Sequence, residues 1–410
     1  MKVTFVSNYI NHHQIPFCEA MCRLTEGGFF FVQTEKMEQE RVQMGWQQVQ
    51  PDYVKRFYEE PEECKALIMD SDVVIFGGCG EEDYIAPRLE AGKVVVRYME
   101  RLYKTGQWKA VSPRGLRKKY HDHTRYRKAP VYLLCAGAYV ASDFHIVRAY
   151  PGKMYCWGYF PETRVYEIEQ LLADKGYRDA NGERCTYLLW AGRFIDWKHP
   201  ELVVETARYL KDKGVKFKLD MIGGGPLEEQ VRLLIQEYGL EEQVCLAGYK
   251  TPDEVRKCME QADIYLLTSD RQEGWGAVAN EAMNSGCALV ADHMVGAAPY
   301  LIRQGENGFV YKSGCKSMLF ETVEGLTRDV ELRQSIGRAA YETISKTWNA
   351  ENGAKRLYAL LQALCKDRTG KSQPEAVTGQ GEERVKGFYP CMPAPVISER
   401  RMFSFLTKDK

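Results

Sequence analysis

Short apolar runs punctuate the chain, and a longer stretch of helical period follows most of them. The runs fall at 3–7, 29–33, 73–76, 94–97 and 131–135, then at 187–191, 218–222, 244–247, 264–268 and 288–291. They are rich in Val, Ile, Leu, Phe and Tyr and do not alternate between apolar and polar positions. That pattern predicts parallel strands buried on both faces. The intervening stretches predict amphipathic helices. "HPELVVETARYLKDKG" (199–214) has Pro200 in its first turn, Leu202, Val203, Ala207 and Leu210 as apolar positions, and Gly214 as its stop. "TPDEVRKCMEQA" (251–262) opens with Thr251 as N-cap and Pro252 behind it.

Strand and helix therefore repeat in two series, which predicts an α/β protein of two Rossmann-like, doubly wound domains facing a cleft. The first domain is expected over 1–165 and the second over 184–345. The polar stretch 166–183, with its "DANG" turn signal, is expected as a linker. Residues 346–366 are expected to form a helix returning to the first domain. The tail 367–410 is polar and marked by Gly, Pro and Ser, as a disordered extension would be. Its Tyr389, Phe403 and Phe405 leave open a strap that packs on the body or on a partner.

Composition narrows the class. A chain of 410 residues is long enough for two cores. Lys and Arg balance Asp and Glu at 56 each, so no global charge argues for nucleic acid. Thirteen cysteines occur without a CxxC or zinc-finger spacing, as expected of reduced cytosolic thiols. Cys18 and Cys22, near His13, read as a buried helix face rather than a metal site. The longest apolar run, "VYLLCAGAYVA" (131–141), falls short of the roughly 18–20 residues a spanning helix needs. No signal-peptide pattern opens the sequence. The expected location is cytoplasmic, with room for a peripheral place on the inner face of the plasma membrane.

In open α/β sheets ligands sit beyond the carboxyl ends of the strands, so the loops there carry the candidate chemistry. After the run 264–268 comes "RQEGWGAVANEAMNSG" (271–286). Glu273 lies in the loop and Glu281 about a turn inside the helix that follows. Gly274 and Gly276 flank Trp275 and let backbone approach a ligand. The N–H groups near Ala277 and Val278 suit a phosphate, and the two carboxylates suit the hydroxyls of a ribose or hexose. Two solvated glutamates are the plainer reading. After the run 187–191, Arg193 and Lys198 could clamp a diphosphate and neutralise a departing phosphate. "DMIGGGP" (220–226) adds Gly223 and Gly224 for close backbone approach. It is not GxGxxG, which disfavours a dinucleotide.

In the first series, Asn8, His12 and His13 follow the first strand, and Glu100 and Arg101 follow the fourth. All are candidates to bind an acceptor, and His123 could reach the cleft from a later loop. That loop, "SPRGLRKKYHDHTRYRK" (112–128), has seven Lys and Arg against one Asp. Arg117, Lys118, Lys119 and Arg125 form a patch suited to anionic lipid. The alternative is an ordinary solvated face. No recognition motif for nucleic acid accompanies it.

Taken in order, "AGRF…DWKHPELVVETARYL", "LDMIGGGP", "LLTSDRQEGWGAVANEAMNSGCALVAD" and "ENGFVY" resemble the C-terminal domain of retaining, family-four (group 1) glycosyltransferases of the GT-B fold. The resemblance spans roughly 186–312. "VSNYINHHQIPFCEAM" near the start resembles members that build capsular or exopolysaccharides. The resemblance implies that Glu281 holds the nucleotide ribose, Glu273 the donor sugar, and Arg193 and Lys198 the diphosphate. It also implies that backbone amides from Gly274 to Val278 reach phosphate and sugar, with no metal and no cofactor beyond the nucleotide-sugar donor. The implied activity is sugar transfer to a glycan or lipid-linked hydroxyl in bacterial cell-surface polysaccharide synthesis. Trp275, and a first loop without the glycine pair many relatives carry, depart from the family pattern. Two other classes stay open: a non-catalytic nucleotide-sugar-binding or scaffold subunit, and a nucleotide-sugar epimerase.

Overall fold

The computed structural model describes residues 1–39, 51–106, 110, 112–178 and 181–366. The expected tail 367–410 lies outside the described residues. Two compact units emerge. Of the described residues, one holds 1–38, 51–160 and 350–366, and the other holds 39 and 161–349.

In the first unit the strands are β1 (Val3–Ser7), β2 (Phe29–Gln33), β3 (Val54–Arg56), β4 (Val73–Gly77), β5 (Val95–Met99), β6 (Val131–Ala136) and β7 (Met154–Trp157). They pair in the order β3-β2-β1-β4-β5-β6-β7, every pair parallel. β1, β4 and β6 are buried along their full length, as their largely apolar, non-alternating sequences predict. β3 and β7 had no counterpart among the expected strands. They are short edge strands, and β3 is only half-buried and polar in sequence.

The second unit holds β8 (Tyr177–Arg178), β9 (Arg184–Ala191), β10 (Phe217–Ile222), β11 (Val244–Gly248), β12 (Ile264–Leu267), β13 (Ala288–Asp292) and β14 (Phe309–Tyr311). The parallel order is β11-β10-β9-β12-β13-β14, and β8 adds an antiparallel pair to β9. Leu188, Trp190, Leu219, Met221, Leu266 and Val290 lie in its core. The helix Pro252–Gln261 starts with the reciprocal Thr251–Glu254 capping box.

The segment expected as a linker carries the helix Ile168–Asp174 and β8, and the division between units falls at 160/161. The helix Ala350–Lys366 packs with the helix Ile15–Leu24 inside the first unit. There Glu351 pairs with Arg23, and Gly353 lets the Phe160 ring approach closely. Both sheets are α/β and doubly wound. In the second, strand order reverses between β9 and β12, and that switch point positions the loops of interest.

Candidate active site

Loops 192–199 and 268–277 leave the carboxyl ends of neighbouring strands, β9 and β12. Backbone and side chain stitch them together. Asp270 donates its N–H to the Trp197 carbonyl at 2.9 Å. Thr268 Oγ1 donates to the Lys198 carbonyl at 2.7 Å and accepts from the buried Trp190 indole at 3.0 Å. Lys198 and Glu273 meet as an ion pair between these loops. Their side chains are only 15% and 13% exposed. The Lys198 ammonium also lies 4.7 Å from the Trp197 ring centre. Arg193, on the same loop, is exposed.

Glu281 sits half-buried in the helix Val278–Asn284. Beneath the loops, the Tyr265 hydroxyl donates to the Ala191 carbonyl at 3.1 Å. Burial raises its pKa, and the charges of Glu281 and Glu273 add to that shift. Both glutamates thus lie near enough to Tyr265 for their charges to bear on its hydroxyl. The helix they flank has seven residues, so little dipole stands behind the N–H groups at Ala277 and Val278.

Other candidates take different positions from those expected. Trp275 is fully buried and stacks on Trp348 at 5.1 Å, while its indole donates to Asn280 Oδ1 at 2.8 Å. Its ring is packed inside the second unit, so any donor contact at Trp275 falls to its backbone. Gly276 has φ +87, a left-handed backbone that justifies glycine there. Gly223 and Gly224 have packing reasons of their own. A Cβ at Gly223 would lie 2.0 Å from the Gly192 carbonyl oxygen, and one at Gly224 would lie 2.8 Å from the Tyr249 ring. The space these glycines free is filled by neighbouring loops.

In the first unit, Asn8, His12 and His13 are half-buried after β1, and the two imidazoles lie 3.9 Å apart between centres. Glu100 pairs with Lys104 and accepts from the Tyr159 hydroxyl at 2.7 Å. Arg101 is buried against Asp143 at 3.3 Å, with its guanidinium over the Tyr139 ring. His123 is 2% exposed, and its Nδ1 lies 2.8 Å from the Tyr150 hydroxyl. Burial, with Arg97 and Lys119 nearby, drives its pKa far down. Arg101 and His123 are thus core residues, correcting their assignment to an acceptor surface.

The basic stretch is structured. Ser112 caps the helix Pro113–Asp122, and a 3-10 turn over Thr124–Tyr126 follows. Arg117, Lys118 and Arg125 are exposed, whereas Lys119 is half-buried. Two side chains absent from the expected patch, Leu116 (46% exposed) and Tyr120 (61%), join them on this helix. Their four-residue spacing marks one stripe and could have been read from the sequence. Sequence reasoning also passed over His199. Its signal was a bulky residue placed directly before a helix-opening proline.

Comparison with known proteins bears on residues 178–343, which match the family model "Glycosyl transferases group 1". The matched segment is thus similar to group 1 glycosyl transferases over that range. It contains every candidate of the second unit, from Arg193 to Glu281. Over 183 residues the chain is 28% identical to the putative colanic acid biosynthesis glycosyltransferase WcaL of Salmonella typhimurium, covering 43% of this chain and 45% of that one. The amylovoran biosynthesis glycosyltransferase AmsK of Erwinia amylovora matches at 28% over 182 residues, 43% of this chain and 44% of the relative. The chain thus spans under half the length of these relatives. Among solved structures, Anabaena Alr3699/HepE in complex with UDP superposes with a TM-score of 0.63, covering 88% of this chain and all of that one at 14% identity. At that identity the likeness shows the fold alone, which is the GT-B fold of glycosyltransferases.

Proposed function

We propose that this protein is a retaining glycosyltransferase. It moves a sugar from a nucleoside-diphosphate sugar to a hydroxyl of a glycan or lipid-linked acceptor in cell-surface polysaccharide synthesis. The observation that carries the reading is the Lys198–Glu273 pair at the β9/β12 switch point, inside the segment that matches the family model. WcaL and AmsK, named for exopolysaccharide synthesis, and HepE, solved with UDP, support it.

In this reading Lys198 and Glu273 hold their charges against each other until a donor binds. An incoming diphosphate takes Lys198, with Arg193 beside it. The Glu273 carboxylate is then released to accept hydrogen bonds from donor-sugar hydroxyls, while Glu281 accepts from the ribose. As the glycosidic C–O bond breaks, negative charge grows on the leaving phosphate, where Lys198 and Arg193 stabilise it. The acceptor proton passes to the leaving phosphate oxygen as the new bond forms on the same face, so no separate strong base is needed. These cations supply the charge stabilisation without a metal. The acceptor is assigned to the first unit, through Asn8, His12, His13 and Glu100. Arg117, Lys118 and Arg125, with Leu116 and Tyr120, would hold the protein to an anionic membrane on its cytoplasmic face.

The test is nucleoside diphosphate release from a panel of nucleotide sugars, with and without envelope lipids. Release that requires an acceptor supports transfer. Binding without release indicates a non-catalytic subunit, and a changed sugar without release indicates an epimerase.

A further inference from the structure

His199 occupies a costly position. It is a non-glycine residue in the left-handed region, with φ +50 and ψ +55, directly before the thirteen-residue helix Pro200–Asp212. Side chains crowd the backbone in that conformation. A positive imidazole at a helix N-terminus is also opposed by the helix dipole. Strain of this kind persists where the surroundings impose it. Here the surroundings are two carboxylates. Nδ1 lies 2.8 Å from Glu201 Oε1, and Nε2 lies 3.8 Å from Asp270 Oδ2. Glu201 belongs to the helix that His199 precedes, whereas Asp270 belongs to the loop that carries Glu273. His199 therefore joins the same two loops that Lys198 and Glu273 join, one residue away.

We propose that His199, clamped between Glu201 and Asp270, is a positioning residue that sets Lys198 against Glu273 and, on donor binding, against the diphosphate. Its consequence for turnover rests on the glycosyltransferase reading above. Its consequence for the loops does not.

A neutral imidazole has one N–H and can donate to only one carboxylate. The charged form hydrogen-bonds Glu201 and turns its second N–H toward Asp270 at the longer distance of 3.8 Å, where the attraction is that of an ion pair. Asp270 and Glu201 push the His199 pKa up to about 10, and Asp270 is correspondingly lowered. The hollow on the other side of His199, about 260 Å³, is also lined by Asp292, Tyr311 and Lys316. Lys316 is itself paired with Glu205. The clamp thus stays charged through the neutral range and holds the backbone of Trp197 and Lys198 in register with Asp270.

The decisive variant is His199→Gly, because glycine adopts this backbone freely. If His199 served only to fill space, the relaxed variant would keep its activity. The proposal expects kcat to fall roughly tenfold to a hundredfold through misplacement of Lys198. KM for the nucleotide sugar should rise by a smaller factor than kcat falls, since the charge that Lys198 meets is greatest in the transition state. In a Lys198→Ala background the same change should cost almost nothing further. Independently of turnover, the Asp270 amide, which donates to Trp197, should exchange its hydrogen faster in His199→Gly. Wild-type kcat, or losses that simply add to those of Lys198→Ala, would overturn the proposal. Should the wild type transfer no sugar, the functional reading fails, and the Asp270 amide alone decides: faster exchange sustains the clamp and unchanged exchange removes it.

Discussion

Replacing Glu273 by Gln separates two roles that the Lys198–Glu273 pair superimposes. Lys198 and Glu273 are paired and mostly buried, with side-chain exposures of 15% and 13%. Pairs exposed to water contribute about 0.2–1 kcal/mol, and removing one partner of a fully buried pair costs about 3–5 kcal/mol. This pair lies between those limits, so about 1–2 kcal/mol of Lys198 interaction energy must be given up when a diphosphate arrives. Glutamine keeps the shape and removes the charge. Lys198 is then free for the diphosphate, and the repulsion between carboxylate and phosphate disappears. Binding of uridine diphosphate, the first probe to try, should tighten by roughly 5–30-fold. Turnover should fall by about tenfold or more, because a sugar hydroxyl loses a charged acceptor. Titration calorimetry at pH 7.5 in low and high salt would measure the first, and coupled nucleoside diphosphate release the second. The Lys198→Ala background is the control, where Glu273→Gln should no longer tighten binding through Lys198. If Glu273→Gln weakens the diphosphate by tenfold in the wild-type background, Lys198 is not held back by Glu273 and the exchange of partners is wrong.

Glu281→Ala should weaken nucleoside diphosphate binding by about tenfold through loss of a charge-assisted ribose contact; unchanged calorimetry would remove that role. Arg193→Ala should lower turnover by roughly 10²–10³ if Arg193 meets developing phosphate charge, and a normal rate at saturating donor would make it a solvated base. Changing Arg117, Lys118 and Arg125 to Ser should release the protein from anionic liposomes without altering nucleotide binding; a wild type that ignores such liposomes at low salt would leave the patch a solvated face. His199 has a folded pKa of about 10 against an ordinary value near 6.5. Its contribution to stability is therefore complete below about pH 6.5 and declines as pH rises through 10. Urea midpoints from pH 6 to 10 should fall less steeply in His199→Gly than in the wild type, and identical slopes would refute the shift.

The strands were legible where both faces are buried. β1, β4, β6, β9 and β13 each contain a mainly apolar, non-alternating run, because an interior parallel strand meets helices on either side. β3, β8 and β14 were not, since a two- or three-residue strand at a sheet margin has neither period nor length to show itself. The loops of the second unit could be selected because they follow strands. The pairing of Lys198 with Glu273 could not, because the residues are 75 apart and meet only through the adjacency of β9 and β12. Arg101 and His123 misled for the opposite reason. Polar residues after a strand look exposed in a linear reading, but Asp143 and Tyr150 come from distant positions to receive them. Gly223 and Gly224 were read as allowing close backbone approach to a ligand, and the close packing of the Gly192 carbonyl and the Tyr249 ring gives them a second reason that the sequence could not show.

The central claim is that the loops at the β9/β12 switch point stabilise a departing nucleoside diphosphate during sugar transfer. Its most direct test follows nucleoside diphosphate release and the anomeric configuration of the product together. The assay compares the wild type, Lys198→Ala and Glu273→Gln with the best donor of a nucleotide-sugar panel and an envelope-lipid acceptor. The account predicts acceptor-dependent release by the wild type, a product that keeps the donor's anomeric configuration, and a loss of roughly 10²–10³ in Lys198→Ala. Release that persists unchanged in Lys198→Ala, or a product of inverted configuration, would contradict it.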